Sequence, residues 1–295
     1  MTIIEINGRH YNIPEKWNEL STKQLLQVMK LFYCSSYSIE RAKLKLLKIL
    51  SGMSWWHFFR APMVACEKQF FPILQPKGSI TTWLYLNRME CTGLEEYLYL
   101  TDFLIEKKDI TKQLLPEYKS FYGPSDECNN LRGIEFAHTE HFYMSWAAQL
   151  EDPQSDSSNT QKLLDNLVAV LYRPRKKNYD ITINKEGDAR IAFNDKLCEW
   201  FATTVIYGWP LHVKMAIASF YGACREKWVS DNQDLFGGTG EAAKYGLLSV
   251  MRDVAKSGVH GDFKQVEQLH VFMIMMELNE QVHEQKNAEK TNKST

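Results

Sequence analysis

The sequence predicts a mainly α, multi-helix, two-lobed protein with small β-hairpin elements near residues 3–13 and 180–193. Two observations carry that expectation. Apolar residues recur three and four apart in segment after segment, and period-two alternation is confined to two short stretches. A third observation sets the scale: 295 residues, 44% hydrophobic and 13% aromatic, can bury one large core or two smaller ones without metals or disulfides. The expected division is an N-terminal helical lobe with the hairpin, residues 1–125, and a C-terminal helical lobe, residues 126–285. Residues 286–295 are polar and are expected to be a disordered tail.

Along the chain, Ile3–Ile6 and Arg9–Ile13 flank Asn7-Gly8, a pair that tolerates positive φ, so a hairpin is expected. Ser21 with Gln24 three residues later forms a capping box for a helix from Thr22 to Tyr33. Ile39–Leu50 repeats the helical spacing, and Gly52 ends it. Trp55, Trp56, Phe58 and Phe59 then crowd one segment, and Ala61–Glu67 can continue helically. Such a cluster is either core or a contact surface. Helices are expected over Gly93–Lys107 and Ile110–Tyr118, and the turn-rich Gly123–Gly133 is the expected lobe boundary.

In the second lobe, Phe136–Leu150 and Gln161–Tyr172 read as helices, the latter stopped by Pro174. Tyr179–Ile183 and Ala189–Phe193 alternate around Gly187 as a small β element. Asn194 is a suitable N-cap for a helix ending near Tyr207, and Pro210 suits the first turn of one reaching Trp228. Glu241–Lys256 and Phe263–Glu284 complete the set. The last carries Leu269, Phe272, Met273 and Met276 at spacings of three and four.

Composition narrows function. With 35 basic and 36 acidic residues, no global field favours nucleic acid, and no apolar stretch approaches the ~20 residues of a membrane span. The N-terminus has no signal-peptide pattern, and the six cysteines include no CxxC pair, so reduced thiols and a cytoplasmic location are expected. His138 and His141 share a helix face but lack a third ligand. Gly238-Thr239-Gly240 does not follow a buried strand, as a dinucleotide fingerprint must. No P-loop and no nucleophile elbow occurs. No enzyme activity, cofactor or metal is therefore expected. Arg173, Arg175, Lys176 and Lys177 follow an apolar helix and read as a solvated helix end or a dock for an acidic segment.

Several segments together resemble an uncharacterised protein family encoded in the tail-gene regions of phages and prophages of Bacteroides-type bacteria. They are Pro14–Leu20, Leu167–Pro174, Gly187–Asn194, Phe220–Arg225 and Gly258–Phe263. Ala192 stands where the family has proline, and His260 where it more often has an aromatic. The similarity spans about residues 10–60 and 133–283 and includes no catalytic residue. Genes in that position resemble tail-assembly chaperones, which bind the tape-measure protein until the tail tube polymerises around it. The resemblance thus implies a tape-measure partner, and the tail-tube protein as a further one. A permanent virion protein of the tail or connector, and an enzyme of unidentified class, are the alternatives. A chaperone must cover apolar helical stripes, which makes Trp55, Trp56, Phe58, Phe59, Leu269, Phe272, Met273 and Met276 the candidate partner-binding residues.

Overall fold

A computed structural model of the chain describes residues 1–6, 9–53, 97–177, 179, 187–232 and 247–293. Helix dominates them, with two small antiparallel sheets. The chain divides into two compact units, Met1–Asp109 and Ile110–Thr295.

In the first unit, β1 (Thr2–Ile6) pairs antiparallel with β2 (Arg9–Ile13), Thr2 opposite Ile13 and Ile6 opposite Arg9. The alternation works as sequence demands: Ile4 and Ile13 are buried while Ile3 is exposed. Trp17 is fully buried and donates its indole N–H to the Phe103 carbonyl at 3.1 Å. Ser21 and Gln24 form the expected capping box at the start of α1 (Thr22–Cys34). The Gln24 amide also donates to the Leu50 carbonyl at 2.8 Å, tying that start to the end of α2 (Ile39–Ser51). Gly52, at φ 63°, closes α2 in the left-handed conformation that a side chain disfavours. Val28, Met29, Leu46, Leu47 and Leu50 supply buried core. Of the helix expected over Gly93–Lys107, the described part is a 3-10 turn, Leu98–Thr101, and the short α3 (Phe103–Glu106). Trp55, Trp56, Phe58, Phe59 and the stretch Ala61–Glu67 lie outside the described residues.

The second unit opens with a difference from expectation. Ile110–Tyr118 is not helical: it is a loop running into β3 (Glu117–Tyr118), which pairs with β4 (Phe121–Tyr122), which pairs in turn with β5 (Arg173–Pro174). Side chains satisfy the loop's backbone where a helix would have used its own. The Gln113 amide donates to Asp126 at 2.7 Å, and the Tyr172 hydroxyl donates to the Leu115 carbonyl. This loop packs with the second unit, so the division falls after Asp109, ahead of the turn-rich stretch at 123–133.

The helical body comprises α4 (Gly133–Glu151), α5 (Ser157–Leu171), α6 (Asp195–Thr204) and α7 (Leu211–Asp231). Central α5 packs against α4, α6 and α7, and Leu167–Leu171 is buried on every side. A helix end apolar all round needs that surround. Asn194 caps α6 as expected, accepting from the Leu197 amide at 2.9 Å.

The helix expected over Phe263–Glu284 is two: α9 (Phe263–Glu267) and α10 (Val271–Lys293), preceded by α8 (Leu247–Ser257). Between them His270 bridges Arg132, with Gly133 N–H donating to the Leu269 carbonyl and Val271 N–H to the Leu131 carbonyl, each at 2.9 Å. Those bonds take the backbone out of the helical ladder. Val266 and Ile274 meet Ala137, Met251 and Val254 in a small apolar core. Helix α10 continues to Lys293, past the point where the sequence suggested a disordered tail. The described part of the expected β element near 180–193 is a single bridge, Arg190 to Arg175; residues 180–186 lie outside the described residues. Among the described residues no helix is long and apolar enough to cross a membrane.

Candidate functional site

Helix α10 has two apolar faces. Val271, Ile274 and Met275 are buried, and Ile274 ties the helix into the small core. Phe272, Met273 and Met276 point away, 60%, 41% and 44% exposed, while Leu269 just before them is half-buried. Phe272, Met273 and Met276 of the stripe are thus turned outward, out of phase with the buried set, while Leu269 packs on the small core. The helical period of 3.6 allows it: a run as apolar as Val271–Met276 has hydrophobic residues on every side, and packing picks the face. An exposed Phe beside two Met is a soft, adaptable contact surface. A second exposed pair, Leu197 and Trp200, stands on α6; its three-residue spacing was visible in the sequence but lay within an ordinary amphipathic pattern.

The polar centre of this unit is built from the segments that carried the family resemblance. Arg173, from Leu167–Pro174, and Asp188 and Arg190, from Gly187–Asn194, converge on Glu135 of α4. Arg173 meets one Glu135 oxygen at 2.8 Å and Arg190 the other at 3.1 Å, while Arg190 also grips Asp188 at 2.8 Å. Further guanidinium N–H groups donate to the carbonyls of Val170, Leu171 and Ile191 at 2.8–3.0 Å. Two cations and two carboxylates cancel, and each arginine is only 1% exposed. Burial pushes the Asp188 carboxyl up, but the hydrogen bonds and charge of Arg190 outweigh it and hold it below its ordinary value. Burial likewise opposes the charge on both arginines; Glu135 and Asp188 outweigh it at Arg190 but not at Arg173, where Arg190 adds repulsion. Both remain cations at any physiological pH. This cluster pins the strap after α5 to α4.

Of the basic run only Arg173 is buried; Arg175, Lys176 and Lys177 are exposed, as a solvated helix end would have them. Arg173 is in the cluster, Arg175 lies 5.9 Å over the rings of both Tyr122 and Tyr179, and Lys176 donates to the Asp188 carbonyl at 2.8 Å. A second buried pair, Lys214 with Asp165 at 2.5 Å, joins α7 to α5, and Glu140 of α4 receives Tyr221 and Arg225 of α7 at 2.8 and 2.5 Å.

His138 packs on Phe193, ring centroids 5.0 Å apart, and burial pushes its imidazole pKa down against the charge of Asp195. Among the described residues no group of three His, Cys, Asp or Glu side chains is placed to hold a metal. The segment Gly238-Thr239-Gly240 lies outside them. What the described residues bring together is a rigid, charge-compensated interior carrying an exposed apolar helix face. No known protein family, curated protein or solved structure matches the chain.

Proposed function

We propose that this chain is a phage tail-assembly chaperone that binds the tape-measure protein before the tail tube polymerises. The observation that carries the reading is the outward apolar face of α10, Phe272, Met273 and Met276, on a helix whose opposite side is anchored. It is supported by the family resemblance of the segments named above. A tape measure is a long helical chain with apolar stripes, and an amphipathic helix binds by laying its i, i+3, i+4 anchors against a complementary apolar face. Counted from half-buried Leu269, Phe272, Met273 and Met276 stand at i+3, i+4 and i+7 and so have that spacing. Methionine suits the task because its unbranched side chain repacks against successive, non-identical stripes. Binding of this kind needs no catalytic group.

The exposure of these residues makes a clean test. Exposed substitutions change stability by about 0.5 kcal/mol or less, so Phe272→Ala with Met276→Ala should leave the thermal midpoint close to wild type. Co-expressed with the tape-measure protein, the wild-type chain should keep it soluble and the double variant should lose most of that protection. A folded variant that protects as well as wild type removes this face from the binding site. Failure of the wild type itself to protect removes the chaperone reading.

A further inference from the structure

Of the cysteines in the described residues, Cys34 is exposed and Cys198 is buried without a second thiol beside it, but Cys128 and Cys224 lie together. Both are completely buried, where the turn carrying Cys128 packs against the helix α7 that carries Cys224, and each thiol is among the other's nearest polar neighbours. They belong to elements that a second contact also joins: Glu127, adjacent to Cys128, pairs at 2.6 Å with Lys227, one helical turn beyond Cys224 on α7. The backbone makes an unusual turn to achieve this. Glu127 and Cys128 have φ of 55° and 56°, the left-handed region that residues with a Cβ seldom occupy, within a 3-10 turn, Asp126–Cys128. Leu131 N–H to the Cys128 carbonyl and Glu127 N–H to the Thr111 carbonyl hold the turn in place.

From this juxtaposition we infer that Cys128 and Cys224 form a latent redox latch, a dithiol that a low-molecular-weight disulfide converts to an intramolecular bond across the second unit. The chemistry is a double exchange. One cysteine thiolate attacks a sulfur of the small disulfide, giving a mixed disulfide and releasing one small thiolate. The second cysteine, deprotonated, then attacks the protein sulfur of that mixed disulfide and releases the other. Two protein thiols are oxidised, one small disulfide is reduced to two thiols, and the two cysteine protons end on those thiols. Because both sulfurs are shielded and burial keeps Cys128 protonated, the exchange proceeds through transient opening of the unit and is slow beside reaction at exposed Cys34. Once closed, the bond ties the turn at 126–128 to α7 and encloses α4, α5 and the charge cluster within the loop.

The test uses the full chain and 2-hydroxyethyl disulfide, with and without sub-denaturing urea to promote opening. After quenching by alkylation, peptide mapping should find a Cys128–Cys224 linked pair, two hydrogens lighter than the separate thiols. It should form after Cys34 has reacted, faster with urea, and reverse with dithiothreitol. The linked protein should melt about 5 to 10 °C higher than the reduced one, a shift absent from Cys224→Ala. Mixed disulfides persisting at either residue, or both thiols remaining free in urea while Cys34 is fully modified, overturn the inference. A link that forms without raising Tm overturns it too, since the bond would then constrain nothing.

Discussion

Individual side chains decide where the second unit is most vulnerable. Glu135 answers two guanidinium groups at once, so Glu135→Ala leaves both arginines buried with only Asp188, which is partly exposed, between them. Removing one partner from a buried pair costs about 3 to 5 kcal/mol, because the charge left behind is uncompensated. Chemical denaturation should show a loss of that order, and a loss under about 1 kcal/mol would contradict the burial of the cluster. Lys214 and Asp165 offer the complementary experiment. Either one replaced by Ala should be strongly destabilising, while Asp165→Leu with Lys214→Met together should come close to wild type. The sequence disclosed part of this scale. Arg173, Asp188 and Arg190 stand in the segments that carry the family resemblance, but Glu135 is 38 residues from Arg173 and 55 from Arg190. No local spacing encodes that meeting.

Elements were legible in proportion to how local their causes are. The capping box at Ser21, the cap at Asn194 and the stop at Gly52 depend on residues within one turn, and each sits where the sequence placed it. The β3–β4 hairpin was not legible, because its two-residue turn is Lys119-Ser120 at φ 48° and 65°, a conformation normally announced by Asn or Gly. Nor was the break between α9 and α10, whose cause is a bridge to Arg132, far away in the chain. The same junction depends on Gly133. A Cβ built there would lie 2.6 Å from Ile274, 2.7 Å from the Met251 sulfur and 3.2 Å from the Val266 carbonyl oxygen. Gly133→Ala should therefore push α8, α9 and α10 away from α4 and cost about 1 to 3 kcal/mol despite improving helix propensity. Amide exchange should quicken in Phe263–Ile274 first; unchanged exchange there would show that the junction yields without strain.

At the scale of the whole molecule, charge balance hides an uneven response to acid. The net of −1 predicts no bulk repulsion near neutrality, so pH dependence falls to the few groups whose proton affinity folding changes. Of the groups shifted in one direction, the exposed Glu15, Glu19 and Glu40 are screened by water, and the two largely buried ones are His138 and Asp188. Burial lowers the His138 pKa, so as pH falls below the unfolded value of about 6.5 the unfolded chain takes up a proton that the folded chain refuses. That contribution to stability is present above about pH 6.5 and is lost as pH falls through the folded value. Asp188 is also held low in the folded state, by Arg190 against the effect of burial, so its contribution is complete above about pH 4 and is lost as pH falls through its own folded value. Stability should thus be level near pH 7 to 8, decline gently below about 6.5 and more steeply below about 4. The steps separate by substitution. His138→Phe keeps a ring against Phe193 and should flatten the first decline; Asp188→Asn should make the second shallower, leaving the share of the exposed glutamates, with lower stability at neutral pH. Urea midpoints measured from pH 8 to 3 on all three proteins decide the matter. A wild-type curve flat from pH 7 to 3 would mean that neither group is buried against its partner as described, and a first decline that survives His138→Phe would assign it to another histidine.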